Sequence, residues 1–174
     1  RPARDDDFAQ LASESDTVDE LREDIRQRMS RLKRLEQGAQ ARQKVHEVLL
    51  DSIDIPLPAA AIAAEVDDHF SDGHGGDEGH RAEVEEQSRL GLKSQFILDK
   101  IGEQEDVSVG ESELSMWLMQ QAPRYGMSPD AFAQALVEAG QIPMAISDIR
   151  RAKALAIVLE RATVVDAAGN VVDL

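Results

Sequence analysis

The sequence predicts an all-α, elongated fold of several helices, and three observations carry that expectation. Apolar residues recur in helical steps through most of the 174 residues, and the breaks between such runs fall on proline or glycine. Aromatic residues make up only 3% of the chain, so the core must be thin, built from Leu, Ile, Val and Ala between packed helices. One run, residues 17–58, sets the scale. Val18, Leu21, Ile25, Met29, Leu32 and Leu35 follow in steps of three and four, which places them on one stripe of a helix. Thr17 and Glu20 have capping-box spacing, and the stripe resumes at Val45, Val48, Leu49 and Ile53 before Pro56 and Pro58 stop it. The predicted helix covers 17–55 and spans roughly 50 Å at about 1.5 Å per residue. Part of a helix that long is expected to project as an arm, with Gly38 a candidate bend.

The remaining elements follow in order. Residues 1–16 form a lead-in, where three aspartates at 5–7 open a short helix carrying Phe8 and Leu11. After Pro58 a second helix has Ile62, Val66 and Phe70 as its apolar face. Residues 71–80, SDGHGGDEGH, hold four glycines and no apolar side chain, and predict a flexible loop. A helix over about 81–104 follows, with Val84, Leu92, Ile97, Leu98 and Ile101 apolar and Gly91 inside it. Residues 107–109 read as a short extended piece. Ser108 and Glu111 have capping-box spacing before a helix carrying Leu114, Trp117 and Leu118, which Pro123 must kink or end. Ser128 and Pro129 start the next helix and Gly140 closes it, and Pro143 opens the last, with Ile146, Ile149, Leu155, Ile157 and Leu159 on its face. In the extended tail, 163–174, two valine pairs flank Asp166 to Asn170, the pattern of a small hairpin or turn. The length suits one elongated domain, or two small ones sharing a helix.

Composition excludes several functions. A net charge of -15 offers no basic face to nucleic acid and disfavours an anionic membrane surface. No cysteine is present, so there is neither a disulfide framework nor thiol chemistry. No apolar run approaches the ~18 residues of a transmembrane helix, and no signal peptide is seen. The first residue is Arg1 rather than methionine, which predicts a fragment of a longer protein.

Three clusters are candidates for a site. His69, His74 and His80 lie among Asp67, Asp68, Asp72, Asp77 and Glu78 and offer weak zinc or nickel ligands. Their spacing fits no rigid template, and a solvated loop is the simpler reading. Met116, Met119, Met127 and Met144 gather with Trp117, Tyr125 and Phe132, either filling the thin core or lining an apolar surface that accepts many sequences. Leu57, Ile62, Val66 and Phe70 are a second candidate surface. The carboxylate pairs read as solvated faces, and no nucleophile set or phosphate-binding glycine loop accompanies them. The basic run Arg26, Arg28, Arg31, Lys33 and Arg34 reads as the solvated side of the arm.

The order of segments resembles the C-terminal domain of trigger factor, the bacterial ribosome-associated chaperone. DDDFAQLASESDTVDELREDIRQRM, DSIDIPLPAAAIAAEV, LKSQFILDKIGEQEDVSVGESEL, QQAPRYGMSP and ATVVDAAGNVVDL carry the likeness, which covers nearly the whole chain. It departs from the pattern at Ser15, where an aromatic is expected, and at Pro123 within a helix. The resemblance implies an ATP-independent module, without cofactor, that holds unfolded or nascent polypeptides by distributed apolar contacts in the cytoplasm. It implies that the ribosome-docking and peptidyl-prolyl isomerase domains lie outside these residues, so this part is not an enzyme. Implied partners are non-native chains, the ribosome only through the absent domain, no nucleic acid, no membrane, and at most a weak homodimer. A helical adaptor with one partner, or a metal-binding protein using 67–80, is the alternative.

Overall fold

The computed structural model describes residues 6–71 and 78–172. Seven α-helices are found among them, with no β-strand: α1 (Asp6–Ala12), α2 (Val18–Ser52), α3 (Ala59–His69), α4 (Glu78–Gln104), α5 (Glu111–Gln121), α6 (Pro129–Glu138) and α7 (Ile142–Arg161). A 3-10 turn, Ala122–Tyr125, joins α5 to α6. The chain divides into two compact units, one of Arg1–Lys44 with Thr163–Leu174 and one of Val45–Ala162.

In the first unit the start of α2 is heavily capped. The Glu20 N–H donates to Thr17 Oγ1 at 3.2 Å, and the Glu20 carboxylate accepts from the Thr17 and Asp16 N–H groups at 3.2 and 2.9 Å. The Asp6 carboxylate accepts from the Val18 N–H at 2.9 Å, so α1 supplies a further cap to α2. Polar residues dominate the exposed turns that follow, and ion pairs Asp19–Arg22, Glu23–Arg26 and Asp24–Arg28 bridge successive turns. In the tail, Val165 and Val171 form one antiparallel bridge around a turn. The Asp166 carboxylate organises that turn by accepting from the Ala168 and Asn170 N–H groups, while Gly169 takes a left-handed φ of 86°. Val164, Val165 and Val172 of the tail line a shallow pocket with Gln37, Gln40 and the buried Ala41 of α2.

Helix α2 ends at Ser52, three residues before the expected limit at 55. The Ile53–Asp54–Ile55 segment has already left the helix because Pro56 disfavours helical backbone in the residue before it. Helix α4 begins at Glu78, so residues 78–80 are its first turn rather than part of a loop. Residues 72–77, with His74, lie outside the described residues.

The second unit has three small cores. Ile62 and Val66 of α3 pack on Val84 and Leu92 of α4, with Leu57, Ala61 and Phe70 around them. Leu98 of α4 packs on Ala154 and Leu155 of α7, flanked by Val45, Leu49 and Ile101. Ala154 is wholly buried, and its small side chain allows the two helices to approach. Ala122, Phe132 and Leu136 form the third, with Trp117, Leu118 and Ile142 against it. No large side chain among the described residues is completely removed from water, which bears out a thin core.

Polar contacts hold the helices in register. Arg151 of α7 grips Asp99 of α4 through both carboxylate oxygens, at 2.9 and 2.8 Å, and the pairing raises the pKa of its guanidinium. Arg161 pairs with Glu105 in the same way one end further along, and His46 of α2 shares a 2.7 Å hydrogen bond with Ser94 of α4. Helix α4 closes in a Schellman arrangement: the Val107 N–H reaches the Gly102 carbonyl at 2.9 Å and the Asp106 N–H reaches Glu103 at 3.2 Å. Asp106 is the left-handed residue of that motif, with φ of 55°. The cap of α5 is Gly110 rather than Ser108: its N–H donates to the Glu113 carboxylate at 2.8 Å, and Lys153 pairs with the same carboxylate. Ser128 caps α6 as its sequence indicates, accepting from the Ala131 N–H.

Candidate functional site

The residues singled out from the sequence separate into two groups. Ile62, Val66 and Phe132 lie inside cores, and Leu57 and Phe70 are partly covered against the α3–α4 core. Burial follows from partners that periodicity on one helix does not name, namely Val84 and Leu92 for α3, and Ala122 and Leu136 for Phe132. Trp117 and Tyr125 add ring contacts to Phe132, with centroids 6.1 and 4.9 Å away.

The methionines behave differently. Met116, Met119, Met127 and Met144 keep between 45% and 62% of their surface in water. Met116 and Met119 are three residues apart and so share one side of α5, while Trp117 and Leu118 turn toward the core. Tyr125, Val137 of α6 and Ile146 of α7 are exposed as well. The surface of these three helices therefore carries flexible, polarisable apolar groups that the fold has left unpacked.

A second exposed set lies on α2. Ile25, Met29, Leu32 and Leu35 form the stripe legible in the sequence, yet exposure rises from 46% at Ile25 to 73% at Leu35. A groove beside this stripe is lined by Arg22, Ile25, Arg26, Met29, Ser30 and Lys33. The sequence signals the stripe but not its lack of a partner, since an identical pattern arises on a helix packed in a core.

His69 at the end of α3 and His80 in the first turn of α4 meet. Their ring centroids are 5.5 Å apart, and both rings stand edge-on to Phe70 at 4.9 and 5.4 Å. Arg81 lies over Phe70 at 5.5 Å and pairs with Asp67 at 2.9 Å. The arrangement is an aromatic clasp between the end of α3 and the first turn of α4. Among the described residues, no group of three or more His, Cys, Asp or Glu side chains is placed to hold a metal ion. Nor does any described helix have the length and apolarity to cross a membrane.

The carboxylates with altered affinity for protons are structural partners of these helices. The Glu113 pKa is lowered by the Gly110 N–H and then by Lys153, and that of Glu105 by Arg161. In the tail, the Asp166 pKa is lowered first by the Asn170 side chain and then by backbone N–H groups.

Comparison with known proteins agrees with the helical order. The family model described as the C-terminus of bacterial trigger factor protein matches residues 17–160. Trigger factor from Kineococcus radiotolerans is 46% identical over 174 residues, covering 99% of this chain and 37% of that protein. Those from Renibacterium salmoninarum and Rhodococcus jostii are 45% and 43% identical, again over 99% of this chain and over 38% and 41% of theirs. The chain thus spans about two-fifths of the length of these relatives. A solved trigger factor chain from Thermotoga maritima shares the fold, with a TM-score of 0.56 over 70% of this chain and 81% of that one, at 20% identity. The matched portion is the part that the family model describes as the C-terminus. The chain belongs to the bacterial trigger factor family, as its C-terminal domain.

Proposed function

We propose that this chain is the polypeptide-holding part of a trigger factor, binding unfolded or nascent segments without nucleotide and acting in the bacterial cytoplasm. The observation that carries this reading is the set of large apolar side chains left in water, Met116, Met119, Val137 and Met144 on helices that have otherwise packed and Met127 on the link before α6. Each contact is small, so a client is held by several at once with little demand on its sequence. Methionine suits that role because its unbranched side chain adapts to differently shaped partners. Release is fast, since each apolar contact is individually weak. The charge of -15 keeps the exposed groups soluble and repels like-charged copies, leaving at most a weak homodimer. Docking to a ribosome, which the family resemblance implies, is assigned to a domain outside these residues.

The test is dilution of two unrelated, chemically denatured proteins into buffer with and without the chain, scored by light scattering. Suppression of aggregation without nucleotide is expected for both. Replacing Met116, Met119, Met127 and Met144 together by Gln should weaken suppression while leaving helical content and melting unchanged, because the sites are exposed. A folded chain that suppresses neither aggregation would sink the proposal.

A further inference from the structure

We infer that the exposed stripe of α2 is a second docking surface, with a charge preference of its own: it takes apolar segments of non-native polypeptide flanked by Asp or Glu. Residues 26–35, RQRMSRLKRL, carry five cations and no acid, in a chain whose net charge is -15. Arg26 and Arg28 are engaged with Glu23 and Asp24 on the preceding turn. Arg31, Lys33 and Arg34 are exposed, and no hydrogen bond or ion pair joins them to any described residue. They alternate with Met29, Leu32 and Leu35, all more than half exposed. Cations and apolar groups are therefore interleaved within three turns of one helix, the chemistry that an acidic, apolar segment complements.

The size of the window selects among anionic occupants. Ten residues of helix extend roughly 15 Å. Asp19, Glu20, Glu23 and Asp24 bound the window on one side and Glu36 on the other. A nucleic acid or an anionic lipid surface would run past the window onto these acids. A short peptide with one or two carboxylates beside its apolar residues fits within it. Met116 and Met119 sit in the opposite surroundings, since α5 carries Glu111 and Glu113 and no cation. The inference rests on the holding role proposed above and adds a client class to it.

The experiment titrates the folded chain, by fluorescence anisotropy, with two labelled peptides that share one apolar core and differ in Asp or Lys flanks. The comparison variant is Arg31→Glu with Lys33→Glu and Arg34→Glu. Three exposed ion pairs, each contributing a small factor, sum to a loss on the order of tenfold for the Asp-flanked peptide at low salt. The Lys-flanked peptide should bind the variant no less tightly than wild type. Added salt should erase the difference between proteins. Equal affinity of wild type and variant for the Asp-flanked peptide would overturn the inference, and so would tighter binding of a DNA duplex or an anionic vesicle than of that peptide. Retained suppression of aggregation in either case would leave the holding role standing. Failure of both peptides and of suppression would remove both.

Discussion

Asp106 is the position where the backbone makes the sharpest demand on its side chain. It is the left-handed residue that ends α4, with φ of 55°, and the only non-glycine with positive φ among the described residues. Its carboxylate makes no hydrogen bond or ion pair with any described residue, so replacing it removes no contact. Left-handed backbone costs an L-residue roughly 1–2 kcal/mol, somewhat less for Asp, and costs glycine almost nothing. An acid at a helix C-terminus also opposes the helix dipole by about 0.3–1 kcal/mol. Glycine's greater freedom in the unfolded chain takes back part of both gains. Asp106→Gly should therefore stabilise the protein by about 1 kcal/mol, which for a chain of this length raises Tm by roughly 2–4 °C. Asp106→Ala separates the two causes, since it removes the charge and keeps the Cβ that strains the backbone. It should come out close to wild type. Thermal unfolding followed by far-ultraviolet circular dichroism measures both. An alanine variant as stable as the glycine variant would show that charge, and not backbone geometry, governs the site.

Three further predictions concern two glycines of α4 and the paired carboxylates. Nothing lies within 4 Å of a Cβ built on Gly91, so Gly91→Ala should gain about 1 kcal/mol of helix propensity in urea unfolding. At Gly102 the added Cβ would sit 3.2 Å from Nε of Arg150, so Gly102→Ala should gain distinctly less in the same assay, or lose stability. The pKa values of Glu105, Glu113 and Asp166 are all lowered in the folded chain, so their contribution to stability is complete above their unfolded pKa values. It is lost as pH falls through the lowered folded values. The urea midpoint should hold steady above about pH 5 and drop below it, and Glu113→Gln should make the drop shallower. A midpoint that rises on acidification would contradict these pairings.

How far the sequence reads through to the structure depends on whether the deciding contact is local. Thr17 with Glu20, Ser128 with Pro129, and the turn between Val165 and Val171 are settled within a few residues, and each forms as the spacing indicates. The cap of α5 falls on Gly110 rather than Ser108, because the extended Gly110 donates its N–H to the Glu113 carboxylate three residues on. Arg151 with Asp99 and Arg161 with Glu105 join residues more than fifty positions apart, and no spacing rule marks such pairs among thirty-four acids. For the methionines the sequence left open whether they fill the core or line a surface, and only the fold distinguishes exposed Met116 from buried Phe132, because burial belongs to the partner helix as much as to the residue.

The first compact unit joins residues up to Lys44 with the tail from Thr163, and the whole of the second unit lies between them in the chain. On a translating ribosome that order imposes a delay. Synthesis runs at about 5–20 residues per second, so Ala41 waits roughly 6–25 s for the valines that line the pocket beside it. The central helices can close on one another during that interval, because their contacts lie within their own stretch. A domain proposed here to hold unfinished chains is thus itself unfinished through that interval, its longest helix made well before the tail that lines the pocket beside it.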